Sequence, residues 1–133
     1  MRCEISRSVL DAILAAAAAE RDEICGLLFG SADAITGWER TANVHPEPSR
    51  HFEIDPAALF AALRAERAGG PRLIGYIHSH PVGRAEPSPT DTEAAQPDGR
   101  LWMIVADGQA TLWRATAEGF ERTELVLTPV AAT

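Results

Sequence analysis

The sequence predicts an α+β domain in which a curved, mostly antiparallel sheet is flanked by helices. Three observations support this prediction. The chain has 133 residues, which fits one domain with one core, so we expect residues 1–133 to form a single domain. Its 46% hydrophobic and 23% charged residues are typical of a globular protein. Short β-type runs are interrupted by segments of helical periodicity, and the C-terminal part contains β-type runs alone.

The N-terminal half is expected to contain strands around one long helix. A short edge strand is expected at residues 2–5. The apolar residues of the following helix recur at helical spacing and are Val9, Leu10, Ile13, Leu14 and Ala17. The run EICGLLFG has the length and the flanks of a buried strand, and AITGWERTANV follows as a further strand. After the loop HPEPSR, the segment HFEID is predicted to be a short strand.

The second half begins with a helix and ends in strands. Asp55 as N-cap with Pro56 at the first helical position predicts the helix start. Its apolar side is expected to consist of Leu59, Phe60 and Leu63. RLIGYIHSH is predicted to be a strand, and TDTEAA a short helix in which Thr90 and Glu93 form a capping-box pair. LWMIVAD, ATLWRAT and GFERTELVL then complete the sheet as a β-meander.

Charge and cysteine content limit the partners and the compartment. The net charge of −7 and the pI near 5.0 argue against nucleic acid and anionic membranes as main partners. Cys3 and Cys25 are too few for a disulfide framework, which favours a reducing compartment. The run AILAAAAAE is far shorter than the roughly 20 apolar residues of a membrane span, and no signal-peptide pattern is visible. We therefore expect a cytoplasmic protein.

The stretch GYIHSHPVGRAEPSPTD contains the residue types of a metal site. Residues two apart on a strand project to the same face, so the imidazoles of His78 and His80 should lie side by side. A His-x-His pair is weak evidence alone, because a solvated strand end also explains it. Asp91 offers a third ligand if the Pro- and Gly-containing loop folds back. Two histidines and a carboxylate leave a fourth position for water, as catalytic zinc sites require.

A hydrolytic zinc site also needs a general base. Glu23, at the start of EICGLLFG, is the candidate, because a carboxylate can accept a proton from water and return it to the leaving amine. Spacing alone does not separate Glu23 from Asp22, and a charged residue at an exposed strand start is an alternative explanation. Ser88 lies one helical turn before Asp91, where an N-cap role alone would explain it. Cys25 is expected to be a packed thiol and not a nucleophile.

Together these segments resemble the JAMM motif of the MPN-domain metalloproteases. That motif reads Glu-x-x-Gly, then His-x-His, seven residues, Ser, two residues and Asp. The residues that fill it here, each at the required spacing, are Glu23, Gly26, His78, His80, Ser88 and Asp91. The order of predicted elements is similar to that of the family over nearly the whole chain. The resemblance therefore implies the MPN fold, which is cytidine-deaminase-like.

The resemblance also implies roles and a substrate. His78, His80 and Asp91 would hold one Zn²⁺ with water as the fourth ligand. Glu23 would be the general base and acid, and Ser88 would hydrogen-bond the oxyanion. Active members cleave peptide or isopeptide bonds after the C-terminal Gly-Gly of ubiquitin-like proteins. This short chain resembles the stand-alone prokaryotic members, so the expected enzyme is a zinc metallopeptidase whose partner is a ubiquitin-like sulfur carrier.

Two other functions remain open from the sequence. The same zinc site would suit a hydrolase of small peptides or amino-acid amides, and a module that binds Gly-Gly tails without cutting them. A tail is expected to enter extended and to pair with a strand edge, bordered by residues 42–55 and 81–87. His45 and His51 are either plain loop and strand residues or part of that groove. The protein is expected to be a monomer or a homodimer.

Overall fold

The computed structural model describes residues 1–129, which contain seven strands and three helices. The strands are β1 (Arg2–Ile5), β2 (Cys25–Ser31), β3 (Ala34–Thr41), β4 (Leu73–Ser79), β5 (Leu101–Ala106), β6 (Gln109–Thr116) and β7 (Gly119–Leu127). The helices are α1 (Arg7–Ala18), α2 (Pro56–Arg67) and α3 (Pro89–Ala94). Within residues 1–129, no helix combines the length and the apolar character that crossing a bilayer requires.

The strands close into a barrel in the order β1-β3-β2-β4-β5-β6-β7. Four neighbouring pairs are antiparallel, namely β2–β3, β2–β4, β5–β6 and β6–β7, and the other three are parallel. A mixed sheet with helices is confirmed, but a curved, mostly antiparallel sheet describes it only loosely. The difference lies in β1, expected at an edge, which pairs with β7 on one side and with β3 on the other.

Segment 51–55, expected to be a strand, forms none in the described structure. Its one strand-like contact is the bridge between Asn43 and Ile54. The Asn43 side chain accepts a hydrogen bond from the Glu53 N–H and donates one to the His51 carbonyl. Side-chain bonds to the backbone thus take the place of a ladder, a competition in which Asn is especially effective.

Helix α3 starts earlier than expected, with Ser88 as its N-cap and Pro89 in its first turn. The Ser88 Oγ accepts from the Asp91 N–H at 3.0 Å, and the Asp91 Oδ2 accepts from the Ser88 N–H at 2.9 Å. The capping box is therefore formed by Ser88 and Asp91, and the expected pair of Thr90 and Glu93 was wrong. This box turns the Asp91 carboxylate inward, and Asp91 is buried.

The apolar faces of the two long helices follow their spacing with one exception. On α1, Ile13 is fully buried, and the other four expected residues pack against the core. Helix α2 begins at the expected N-cap Asp55. Leu59 and Leu63 pack against its core cluster, but Phe60 is 62% exposed and Ala62 is buried instead. On a helix, residues three or four positions apart lie on the same face, so Leu59 and Leu63 share the buried side. Phe60 is rotated by about 100° from Leu59 around the helix axis.

Gly26 lies where β2 and β3 approach too closely for a side chain. A Cβ at Gly26 would lie 2.5 Å from the Glu39 carbonyl oxygen. Gly37, on the same pair of strands, would place its Cβ in open space, with nothing within 4 Å. The glycine of the Glu-x-x-Gly pattern is therefore required by main-chain packing.

We expect Gly26→Ala to lower the free energy of unfolding by roughly 1–3 kcal/mol, because β2 and β3 must move apart. Gly37→Ala is the matched control and should change it by no more than about 0.5 kcal/mol. Urea denaturation of both variants measures the difference. Equal stabilities would contradict the close-approach explanation.

Candidate metal centre and active site

Three candidate ligand atoms meet at one end of the barrel. His78 Nε2 lies 3.1 Å from His80 Nε2 and 3.1 Å from Asp91 Oδ2, and His80 Nε2 lies 3.2 Å from the same oxygen. A tetrahedral ion with bonds of about 2.0–2.1 Å holds its ligand atoms about 3.3–3.4 Å apart. The residues present therefore fit a small tetrahedral divalent ion with little rearrangement.

The candidate ligands are positioned by β4 and its end and by the start of α3. His78 lies in β4, and His80 follows the strand, where its N–H donates to the Val105 carbonyl of β5 at 2.8 Å. His80 Nδ1 lies 2.7 Å from the Arg84 carbonyl oxygen. Because a carbonyl only accepts, Nδ1 carries a hydrogen, so Nε2 is the nitrogen that a metal would take once the ion has displaced any proton there. Asp91 is brought to the two histidines by the capped start of α3.

The His78 ring is oriented by aromatic packing. Phe52 stacks on it with ring centroids 4.2 Å apart and an interplanar angle of 15°, and Trp102 meets it edge to face at 5.7 Å. Its Nδ1 is buried without a hydrogen-bond partner among residues 1–129. Metal-ligating histidines usually donate that second N–H to a carbonyl or carboxylate. In this protein, aromatic packing against Phe52 and Trp102 orients the His78 ring. No sequence pattern identifies either residue as a partner of His78.

Glu23 lies beside the ligands, just before β2. Its carboxylate and the ring nitrogens of His78 and His80 lie within 4.8 Å of one another. Glu23 is buried, whereas Asp22, the alternative from spacing, is exposed. Burial raises the pKa of Glu23 to about 7, with His80 opposing the shift and Asp91 adding to it. A carboxylate with such a pKa can both accept and return a proton near neutral pH.

The charges of the candidate ligands follow from burial and from the hydrogen bonds among them. Burial would raise the pKa of Asp91, but hydrogen bonds from His78 and His80 outweigh it and hold that pKa below the usual range. Burial lowers the pKa of His78. Burial would also lower the pKa of His80, but bonds to Asp91 and Arg84 raise it overall. Asp91 is thus ionised and His78 neutral, as metal binding would require, and an ion would displace a proton from His80.

Ser88 lies at the same cleft, with its Oγ engaged as the α3 N-cap. The hydroxyl hydrogen is not used by that bond, so Ser88 can still donate. The cleft has a volume of about 30 Å³. Its lining residues are Glu23, Arg50, His51, Phe52, Ser88, Thr90, Asp91 and Ala94. Of the two loop histidines, His51 therefore borders the cleft, whereas the His45 ring accepts the Glu47 N–H at 2.9 Å.

Cys25 takes no part in this cleft. Its thiol is buried, with Sγ 3.5 Å from the Thr41 Oγ1. Burial raises the pKa of Cys25 above its ordinary value, which keeps the thiol protonated and unreactive. The expectation of a packed thiol agrees with this position.

Two further residues hold the main chain at Glu23, and neither stands out in the sequence. The Asn43 Nδ2 donates to the Glu23 carbonyl at 2.9 Å. The Ser79 Oγ accepts from the Ile24 N–H at 2.9 Å. These partners are separated by 20 and 55 positions in the chain, so local patterns carry no signal for them.

Comparison with known proteins agrees with this geometry. A family model described as prokaryotic homologs of the JAB domain matches residues 6–117. A desampylase of Haloferax volcanii is 36% identical over 101 residues, which cover 74% of this chain and 73% of the relative. A probable TtuB-protein conjugate cleaving protease of Thermus thermophilus is 46% identical over 54 residues, 41% of this chain and 36% of the relative.

Solved structures share the fold. The solution structure of a Desulfitobacterium hafniense protein superposes with a TM-score of 0.79 at 25% identity, over 96% of this chain and 94% of that one. The crystal structure of a JAB1/MPN domain protein from Archaeoglobus fulgidus gives a TM-score of 0.60 at 25% identity, over 94% and 98% of the two chains. With the family match covering most of the sequence, this chain belongs to the prokaryotic homologs of the JAB domain and is a peptidase of the JAMM type.

Proposed function

We propose that this protein is a cytoplasmic zinc-dependent peptidase and isopeptidase that hydrolyses the amide bond after the C-terminal Gly-Gly of a ubiquitin-like sulfur carrier. The observation that carries the proposal is the convergence of His78, His80 and Asp91 on one point, with Glu23 beside them. The relatives support the substrate class, since one is named a desampylase and another a TtuB-protein conjugate cleaving protease.

The donor set suits zinc. Two imidazole nitrogens and one carboxylate oxygen are ligands that zinc commonly takes in catalytic sites, where water completes the coordination of the single ion. When bound, the ion would polarise the scissile carbonyl and lower the pKa of water from ~15.7 toward ~7. The remaining work falls to the protein's own side chains.

Glu23 moves the proton. Its carboxylate takes a proton from the attacking water, whose oxygen bonds to the carbonyl carbon. The same side chain, now protonated, gives the proton to the nitrogen as the carbon–nitrogen bond breaks, so the leaving group departs as an amine. The Ser88 hydroxyl donates to the carbonyl oxygen as it becomes negative, an effect typically worth ~2.7–4 kcal/mol.

The narrow cleft supports a substrate without side chains near the cut. A volume of about 30 Å³ has room for one or two water molecules. Phe52 and Asp91 border it as packed, buried or half-buried walls. Such a small space beside Glu23 and Asp91 leaves no room for a bulky side chain, which favours glycine at the position next to the scissile bond.

Cleavage of defined conjugates tests the proposal. Sulfur carriers of the source organism, joined through Gly-Gly to a peptide or to a lysine side chain, are incubated with the zinc-loaded protein and followed by intact mass. We expect loss of the mass that follows Gly-Gly, and no loss with chelator. Cleavage of short peptide amides alone would favour a small-substrate hydrolase, and binding without cleavage would favour a tail-binding module.

Replacing Glu23 with Gln should lower kcat by at least about 100-fold, because the proton acceptor is lost. Zinc content, measured by inorganic mass spectrometry, should stay unchanged. Asp22→Asn is the matched control, since Asp22 is the exposed neighbouring carboxylate, and it should keep full activity. Activity that survives in Glu23→Gln and disappears in Asp22→Asn would transfer the role to Asp22.

Asp91→Asn should weaken zinc binding at least about 100-fold, since even the loss of a partner that only supports a ligand costs 10–100-fold. Retention of zinc after gel filtration measures this. Asp33→Asn, at an exposed carboxylate, is the control and should keep the wild-type zinc content. Full zinc retention in Asp91→Asn would remove Asp91 from the ligand set.

A further inference from the structure

We propose that Ser79 and Asn43 are positioning residues that fix the main chain of Glu23 and thereby aim its carboxylate at the metal centre. This inference rests on the proposed role of Glu23 as the general base. Both residues act on backbone groups next to Glu23 and not on the reacting atoms. Ser79 lies between the two candidate histidine ligands in the sequence, and Asn43 follows β3.

Ser79 replaces one rung of the β2–β4 ladder with its side chain. The antiparallel register places Cys25 opposite His78, which brings Ile24 opposite Ser79. The Ser79 N–H donates to the Ile24 carbonyl at 3.0 Å, as in a regular ladder. The Ile24 N–H, however, donates to the Ser79 Oγ at 2.9 Å. Ser79 is 3% exposed, so water does not compete for this bond.

Asn43 uses the full hydrogen-bonding capacity of its side chain. Its Nδ2 donates to the carbonyls of Glu23 and His51, at 2.9 Å each. Its Oδ1 accepts from the N–H groups of His45 and Glu53, at 3.1 and 3.0 Å. A side-chain amide has two donor hydrogens and two acceptor lone pairs, so this one is saturated. Such a group has one orientation, and it connects the base to the loop that borders the cleft.

The bonds together leave the main chain at Glu23 little freedom. The Glu23 N–H donates to the Pro48 carbonyl at 2.8 Å, its carbonyl accepts from Asn43, and the next N–H is held by Ser79. A general base must lie within hydrogen-bond reach of the proton that it removes. A displacement of 1 Å at a reacting group can cost about 100-fold in rate. The three bonds therefore set the geometry on which proton transfer depends.

Three variants test the role of the Ser79 hydroxyl, namely Ser79→Ala, Ser79→Thr and the control Ser31→Ala. For Ser79→Ala we expect kcat to fall at least tenfold, KM to stay within twofold, and zinc content to be unchanged. Hydrogen exchange should accelerate at Glu23 and Ile24 and nowhere else. Ser79→Thr should restore both readouts, since threonine keeps the hydroxyl and suits a strand. Ser31 is exposed and bonds Asp33 far from the cleft, so Ser31→Ala should match the wild type.

The variant Asn43→Asp tests the two donor hydrogens of the Asn43 side chain separately from its acceptor oxygen. Asp keeps an oxygen for the two loop N–H groups and loses the donors to Glu23 and His51. We expect the same fall in kcat with zinc retained and with faster exchange at Glu23. Wild-type kcat and exchange in this variant would remove Asn43 from the proposal.

Three results would overturn the inference for Ser79. They are unchanged kcat and exchange in Ser79→Ala, loss of zinc in proportion to activity, and faster exchange spread over the whole barrel. If the wild type cleaves no conjugate, the proposed function fails separately. The exchange of Glu23 and Ile24 in the same variants then decides the positioning claim, since local acceleration supports it and unchanged exchange refutes it.

Discussion

The antiparallel pairing of β2 with β4 determines where the candidate catalytic groups lie. With Cys25 opposite His78, the residues just before β2 and just after β4 emerge together at one end of the barrel. Glu23 and His80 are therefore neighbours although the chain between them contains β3 and α2. A slip of one residue would turn His78 away and bring Ile77 to the cleft. On their other sides, β2 approaches β3 closely at Gly26 and β4 approaches β5 closely at Gly75, where a Cβ would meet Glu39 and Leu101.

This arrangement brings together charges that repel one another. The carboxylates of Glu23 and Asp91 are both buried in the same place as two imidazoles. Without a cation, one carboxylate is ionised by its hydrogen bonds, and the other has a raised pKa. Two carboxylates buried together repel each other when both are ionised, and a divalent ion would supply positive charge at that point. The end of the barrel is thus arranged for binding an ion at some cost to the stability of the ion-free fold.

Local spacing made part of the site predictable and left the rest hidden. His78 and His80 follow from strand alternation, and Ser88 and Asp91 from one turn of helix, so their proximity could be expected from the sequence. The remaining site residues act through contacts with residues far along the chain, which patterns among neighbouring residues do not reveal. They are Phe52, Trp102, Asn43 and Ser79. The strand expected at HFEID is absent because a side chain, Asn43, competes for its backbone groups. Closure of the barrel could not be predicted, because the sequence pattern of the four-residue strand β1 does not indicate which strands it pairs with.

Closure by β1 has a consequence for the order in which the protein can be completed during synthesis. Arg2–Ile5 of β1 pairs with Glu124–Leu127 of β7. Strand β1 is made before the other six strands of the barrel and must therefore wait for β7, which is made after them. Pairing between such distant segments is slow, since a long loop must close before any contact forms. The candidate ligands and the candidate base, by contrast, all lie between Glu23 and Asp91. On the ribosome, the candidate catalytic residues are therefore all present before β7 is made, and the edges of β1 and β6 that β7 covers in the closed barrel are then open to wrong partners.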